Sequence, residues 1–252
     1  MVEVLILSLV QGITEFIPVS SSSHLIIFSK FLNFDNQSLM VDVSLHIGSF
    51  LAVITFFHKE IINFVKNKNL FFKIILSSIP VMITGFFLVE LNLIDNLRNI
   101  KIIGWMTIIF GVLLFLSDKF KLSKNLNSNF TFKNALIIGF FQTLALIPGV
   151  SRSGITITGA RLLSFERIDA AKISFLMSIP VLGTISIFGL KELYLTNDLS
   201  LSTLSLTSTV FSFICSLVTI KFFLLYVKKF SLIIFVIYRI ILGTFLLFIS
   251  YL

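Results

Sequence analysis

Residues 2–34 read VEVLILSLVQGITEFIPVSSSSHLIIFSKFLNF, and residues 133–165 read KNALIIGFFQTLALIPGVSRSGITITGARLLSF. Both stretches follow one plan: a short apolar run, a proline, a serine turn, and a second short apolar run. The runs are about 2–17 and 24–34, joined by Pro18-Val19-Ser20-Ser21-Ser22-Ser23, and about 133–147 and 155–165, joined by Pro148-Gly149-Val150-Ser151-Arg152-Ser153-Gly154. A full bilayer crossing takes about 20 mostly apolar residues, whereas a run of about 10–14 reads as a re-entrant segment. Each stretch is therefore predicted to be a helical hairpin that dips into the bilayer and returns.

The rest of the chain supports that reading. Six further stretches are long enough to cross: about 38–57, 70–90, 100–117, 170–190, 203–227 and 230–251. Of the 252 residues, 56% are hydrophobic and 13% charged, against about a quarter charged in soluble domains. Mean hydropathy is +1.04. Too few charges are present to coat a water-exposed surface, which excludes an ordinary soluble enzyme, a disordered chain and a secreted disulfide scaffold. Cys215 is the only cysteine, so neither an intrachain disulfide nor a cysteine metal site is expected. The first residues contain Glu3 and lack a basic start, so no cleaved signal peptide is expected.

The net charge of +8 points to topology rather than to nucleic acid, because the cations sit between the apolar stretches. The 58–73 gap carries Lys59, Lys66, Lys68 and Lys73 against Glu60. The 118–133 gap carries Lys119, Lys121, Lys124 and Lys133 against Asp118, and Lys228 and Lys229 fill a third. These gaps are predicted to be cytoplasmic. The gaps with Glu90, Asp95, Arg98 and Lys101, and with Lys191, Glu192 and Asp198, are balanced and predicted to be outside, with both termini. The first hairpin then enters from outside and the second from the cytoplasm. The fold class expected is an all-α polytopic membrane protein, a single membrane domain over 1–252. Six transmembrane helices and two re-entrant helical hairpins form an inverted repeat with halves of about 1–117 and 118–252. Gln11 and Gln142 precede the two prolines as a weak echo. A second echo, Ser78-Ile79-Pro80-Val81 against Ser178-Ile179-Pro180-Val181, is out of register with that repeat and reads as two tolerated kinks.

Inverted repeats place their site near the midplane, at broken helices. The first turn offers Gln11, Glu15, Ser20, Ser21, Ser22, Ser23 and His24; the second offers Gln142, Ser151, Arg152, Ser153 and Thr156. Gln11 and Glu15 share a helix face. Each returning helix begins at its serine turn, so its free amides and positive dipole end form an anion site. Arg152 adds a fork that matches phosphate oxygens. A carboxylate and an imidazole beside a hydroxyl are the parts of an activated nucleophile or an acid/base pair. The plainer readings are serine N-caps, Arg152 as a structural partner of Glu15, and His24 as a core histidine. Their clustering in two turns favours chemistry. His46 and Asp42 share a face and read as a packing pair. Arg239, inside the last apolar stretch, is expected to snorkel or to pair with a carboxylate. Glu166, Arg167 and Asp169 read as the inner connection between the second hairpin and the fourth span.

Gln11-Gly-Ile-Thr-Glu15-Phe-Ile-Pro-Val-Ser-Ser-Ser-Ser-His24 resembles the first signature of the bacterial undecaprenyl-diphosphatases of the bacitracin-resistance (BacA/UppP) type. Pro148-Gly-Val-Ser151-Arg152-Ser153-Gly154-Ile-Thr156 resembles their second, and Phe175-Leu-Met-Ser-Ile-Pro180 and Tyr238-Arg239 are also similar. The resemblance covers nearly the whole chain. It implies hydrolysis of undecaprenyl diphosphate to undecaprenyl phosphate at the outer face of the plasma (inner) membrane, recycling the carrier for peptidoglycan precursors. It further implies an inverted repeat with re-entrant hairpins and a divalent cation, Mg2+ or Ca2+. Its functional positions fall on Gln11, Glu15, Ser21, His24, Ser151 and Arg152. Gln11 stands where glutamate is commoner, which leaves Glu15 as the main metal ligand, with Gln11 second.

The roles expected are catalysis by Glu15, Ser21, His24 and Arg152, and substrate binding by Gln11, Ser20, Ser22, Ser151, Ser153 and Thr156. Either Ser21 or His24 is the nucleophile. The partners expected are an isoprenoid diphosphate and membrane lipids, with no nucleic acid; a homodimer stays open. The alternative function is a lipid-phosphate transporter or flippase using the same anion site, which would need Arg152 and the helix ends but no hydroxyl–imidazole–carboxylate set. Topology is testable: in a Cys215→Ser background, Asn67→Cys and Asn125→Cys are labelled by impermeant thiol reagents only from the cytoplasmic side, and Asn197→Cys only from outside. Labelling of position 125 from outside would overturn the inverted repeat.

Overall fold

The computed structural model describes residues 1–32, 39–64, 68–91, 93, 97–120, 123–195 and 203–252. Lys66, Asp95, Lys121, Asp198, Asn67 and Asn197, used above for topology, lie outside the described residues, as does the side chain of Glu192. The helices are α1 (Val2–Thr14), α2 (Ser21–Leu32), α3 (Leu39–Phe56), α4 (His58–Phe64), α5 (Lys68–Glu90), α6 (Ile100–Asp118), α7 (Leu126–Asn129), α8 (Phe132–Thr143), α9 (Arg152–Leu162), α10 (Arg167–Leu195), α11 (Thr203–Lys229) and α12 (Ile233–Tyr251). Among the described residues there is no strand, only an isolated bridge between Lys124 and Phe165. Six helices are long and apolar enough to cross a membrane: α3, α5, α6, α10, α11 and α12. They coincide with the six long stretches of the sequence.

The two serine-turn stretches form helix–break–helix units. α1 packs on α2, and α8 on α9. At about 1.5 Å per residue, the 13 residues of α1 and the 11 of α9 fall short of a bilayer core about 30 Å thick. α8 ends in a 3-10 turn, Leu144–Leu146, before Pro148, because a proline disfavours helix in the residue before it. The two units differ in depth. Every residue of α9 from Ser153 to Arg161 is buried, whereas Ser21, Ser22, Ile26, Ile27 and Phe28 of α2 are partly or fully exposed.

Packing pairs the long helices in a definite pattern. α3 packs on α11 and α10, α6 on α12, α1 on α11 and α8 on α5. Where solvent offers no hydrophobic drive, close approach needs small residues and polar glue. α11 supplies a buried row at helical spacing, Ser205, Ser208, Ser212 and Ser216. Ser49 Oγ meets Ser212 Oγ at 3.2 Å and Ser216 Oγ at 3.1 Å, and Ser212 Oγ donates to Leu45 O at 2.7 Å. A Cβ on Gly12 would lie 2.4 Å from Cys215 Cβ, and one on Gly139 2.4 Å from Ser77 O. α1 and α8 are thus pressed onto their partner helices at a glycine. Phe175 of α10 holds the centre, edge-on to Phe16 at 5.3 Å and close to Phe57 and Phe223.

At one end Asp118 gathers the connections. It pairs with Arg167 at 2.8 Å and with the buried Arg161 at 3.2 Å, and it accepts from Leu232 N at 3.2 Å. Asp169 accepts from Leu126 N at 3.2 Å. Arg167 and Asp169 thus form the connection that the sequence suggested, with Arg161 added. The glycine contact is testable. Gly139→Val forces the new methyls into the α5 backbone and costs about 1–3 kcal/mol, as overpacking does. Thermal unfolding in detergent then shows a lower midpoint; an unchanged midpoint would show that α8 can move off α5.

Candidate active site

The breaks in the two units set the site. Ser20 and Ser151, the residues just before α2 and α9, have φ of 79° and 73°. Non-glycine residues hold that left-handed conformation only where their surroundings impose it, at roughly 1–3 kcal/mol each. Ser151 Oγ caps α9 by accepting from Gly154 N at 3.1 Å, and Ser151 O accepts from Ile155 N at 2.9 Å. Ser20 O accepts from His24 N at 3.3 Å and from His24 Nδ1 at 2.6 Å. Two helix N-termini, with their partner-less amides, thus begin at the same place in the fold.

Glu15 joins the two units. Its Oε1 accepts from Arg152 Nη2 at 2.8 Å, and its Oε2 accepts from Ser21 Oγ at 2.7 Å and from Gln11 Nε2 at 3.1 Å. The exposure of these side chains is 12% for Arg152 and 7% for Glu15, so the ion pair is poorly screened. Arg152 is fixed further by Nη1 donation to Ser174 O at 3.2 Å and by the Phe16 ring, 5.9 Å from its guanidinium carbon. A cavity of about 140 Å³ opens against this group. Its polar wall is Glu15, Ser20, Ser21, Ser22, His46, Ser151 and Arg152; its apolar wall is Val81, Ala145, Leu146, Val181, Leu182 and Ile185. That volume is below the roughly 300–1,000 Å³ of whole-ligand pockets. It is large enough for a small anionic group and too small to enclose a large ligand whole.

Of the predicted site residues, Glu15, Ser20, Ser21, Ser22, Ser151 and Arg152 line the cavity, with Gln11 directly behind Glu15. Ser153, Thr156 and His24 are not in its wall. Ser153 Oγ donates to Ile17 O at 2.8 Å and so ties the second turn to the first. Thr156 Oγ1 bonds Arg152 O and Ser174 Oγ. His24 Nδ1 is taken by Ser20 O, and its Nε2 meets Tyr238 Oη at 2.5 Å, with the two rings stacked. Ser21 and His24 follow each other by three residues, yet the first turns to Glu15 and the second to Tyr238.

Arg239 corrects the sequence expectation. It neither snorkels nor pairs with a carboxylate: it is fully buried and donates to four backbone carbonyls, Thr107 O at 3.1 Å, Pro18 O at 3.2 Å, Val150 O at 3.1 Å and Gly149 O at 2.8 Å. Three of these belong to the two breaks. The sequence also missed two parts of the cavity wall. His46 lines it and bonds Gln11 Nε2 through Nδ1 at 3.2 Å. Val81 and Val181 line it from the Ser-Ile-Pro-Val echo, where Ser78 Oγ reaches Met177 O at 3.5 Å. The echo itself was the available signal; the prolines do more than kink two helices, since the residue after each faces the cavity.

A family model described as "Bacitracin resistance protein BacA" matches residues 4–245. The chain belongs to the BacA family. Among relatives, a protein of Pelagibacter ubique (strain HTCC1062) named undecaprenyl-diphosphatase is 49% identical over 251 residues, covering 99% of this chain and 98% of that one. Proteins of the same name from Campylobacter curvus (strain 525.92) and Jannaschia sp. (strain CCS1) are 40% and 37% identical, each covering at least 97% of both chains. With six apolar helices, this BacA protein is a multi-pass membrane protein. Its break geometry depends on Arg239. Arg239→Met strands four carbonyls away from water, and losing one partner of a buried charged group costs about 3–5 kcal/mol. The unfolding midpoint in detergent falls by roughly 6–20 °C; an unchanged midpoint would show that the carbonyls find other donors.

Proposed function

We propose that this chain hydrolyses undecaprenyl diphosphate to undecaprenyl phosphate and inorganic phosphate, recycling the lipid carrier for peptidoglycan synthesis and conferring bacitracin resistance. The observation that carries the chemistry is the Ser21–Glu15–Arg152 set: a hydroxyl donating to a carboxylate at 2.7 Å, whose other oxygen meets a guanidinium at 2.8 Å. A transporter needs an anion site but no hydroxyl held on a carboxylate, and the family match and relatives' names give transport no support.

The active site forms where two re-entrant hairpins of an inverted repeat meet, in a bacterial plasma membrane, and opens to the outside. Exchanging the halves turns the α1–α11 pairing into the α8–α5 pairing, and the left-handed Ser20 into the left-handed Ser151. These equivalences support the repeat, and the Lys/Arg asymmetry supports the orientation.

Arg152 and the first amides of α2 and α9 hold the diphosphate and stabilise the charge that develops on the transferred group. Ser21 Oγ attacks the terminal phosphorus, its proton passes to Glu15, and the bond from that phosphorus to the bridging oxygen breaks. Undecaprenyl phosphate departs. Water then cleaves the seryl phosphate, with Glu15 handling the proton. His24, turned to Tyr238 and Ser20 O, holds the turn on which Ser21 sits. Among the described residues no three His, Cys, Asp or Glu side chains cluster as a metal site. A divalent cation needs only one or two carboxylates when phosphates complete its shell, and Gln11 Oε1 is buried without a hydrogen-bond partner. Glu15 and Gln11 Oε1 would hold Mg2+ or Ca2+, which supplies charge neutralisation at the phosphates.

Single-turnover phosphate release from a long-chain isoprenyl diphosphate, with purified protein in detergent, tests this. Ser21→Ala abolishes release. Glu15→Gln slows it by about 10²–10⁴-fold, and Arg152→Lys by at least about tenfold, because a point charge cannot replace a fork. His24→Ala retains slow turnover. Wild-type rates in folded Ser21→Ala, Glu15→Gln and His24→Ala proteins would end the enzymatic reading.

A further inference from the structure

His46 is the one polar side chain on α3 that faces the cavity, and the reaction above leaves it without a role. Its protonation pattern follows from its neighbours. Gln11 Nε2 lies 3.1 Å from Glu15 Oε2 and 3.2 Å from His46 Nδ1. An ionised carboxylate only accepts, so the amide turns its nitrogen, not its oxygen, towards Glu15. That nitrogen has two hydrogens. One goes to Glu15 and the other to His46. His46 Nδ1 is therefore the acceptor, and Nε2 is the ring nitrogen that carries the N–H. No described residue pairs with Nε2, and the ring is half-buried in the cavity wall.

The donor count around the cavity gives that N–H its importance. The Ser21 hydrogen is committed to Glu15, and Arg152 gives one Nη2 hydrogen to Glu15 and one Nη1 hydrogen to Ser174 O, which leaves its remaining N–H donors for an anion. Ser20 Oγ is engaged with Ser23 Oγ at 2.9 Å. The Glu15 carboxylate also offsets the Arg152 charge, so this pair of side chains by itself adds little net positive charge for an entering anion. The anion gains from donors beyond Arg152 and the helix ends, and His46 Nε2–H is an uncommitted one.

We propose that His46 contacts the substrate directly, its Nε2–H donating to a diphosphate oxygen from α3 while Arg152 holds the anion from α9. Gln11 acts behind it as a positioning residue that fixes the imidazole tautomer and the Glu15 carboxylate at once. The identity of the anion as a lipid diphosphate rests on the phosphatase reading; the contact itself does not.

Inorganic pyrophosphate is the probe, titrated calorimetrically into the full-length protein in detergent. His46→Ala weakens its binding about tenfold or more, the loss of one hydrogen bond to a charged acceptor, and lowers kcat/KM for an isoprenyl diphosphate by a similar factor. His46→Gln restores most of both, because a carboxamide offers an acceptor to Gln11 and a donor to the cavity. With ¹⁵N-labelled histidine the chain gives only three imidazoles, His24, His46 and His58. The His46 Nε2 signal carries the proton and moves on adding pyrophosphate, and that of His58 stays. Equal affinity and kcat/KM for His46→Ala and wild type overturn the inference. So does a folded His46→Gln protein that behaves like His46→Ala, or a His46 signal with the proton on Nδ1. Pyrophosphate binding that follows His46 in a protein that releases no phosphate from any isoprenyl diphosphate overturns the phosphatase reading and leaves the contact standing.

Discussion

Breaking a helix inside an apolar layer strands backbone carbonyls where water cannot reach them, and everything at this site depends on how those carbonyls are satisfied. Arg239 does it with a single guanidinium. It takes Pro18 O from the first break and Gly149 O and Val150 O from the second, and anchors both to Thr107 on α6. A carboxylate partner would have left the carbonyls unmet. Ser153 adds a direct tie from the second unit to Ile17 O. The carbonyls of the two breaks are thereby gathered on one cation, and the N-termini of α2 and α9 begin beside them.

The halves share a plan but divide the work. α9 is buried along its length and carries Arg152 into the centre. α2 is partly exposed and carries Ser21. Glu15 lies between them, and its two oxygens reach one unit each. Neither unit holds a complete set of groups. The same logic explains the pressure of Gly12 and Gly139 on their partner helices: if α1 or α8 stood further off, the two breaks would not meet at one guanidinium.

Ser21, His24 and His46 show where sequence spacing stops being informative. Ser21 and His24 are neighbours in sequence, and their types suggest a nucleophile and its base. In the structure the left-handed Ser20 separates them: its carbonyl takes His24 Nδ1, and the ring meets Tyr238, on a helix more than 200 residues away. His46 is 35 residues from Gln11 and looked like a packing residue beside Asp42, yet α3 delivers it to the cavity. The Ser-Ile-Pro-Val echo was visible but out of register with the repeat, so its placement of Val81 and Val181 in one wall could not be read from spacing.

The sequence by itself determined that the chain is helical and membrane-bound. It marked where six long helices and two broken units begin and end, and it marked the two serine turns at which those units break. Those features are local: run length, proline and serine placement and charge asymmetry act within one segment and need no partner. Only the tertiary structure decided that Arg239 serves both breaks, that Glu15 bridges Arg152 and Ser21, and that His46 rather than His24 lines the cavity. Each of these depends on contacts between segments far apart in the chain, where a hydrogen bond forms or fails over about an ångström. No periodicity in one segment encodes that distance.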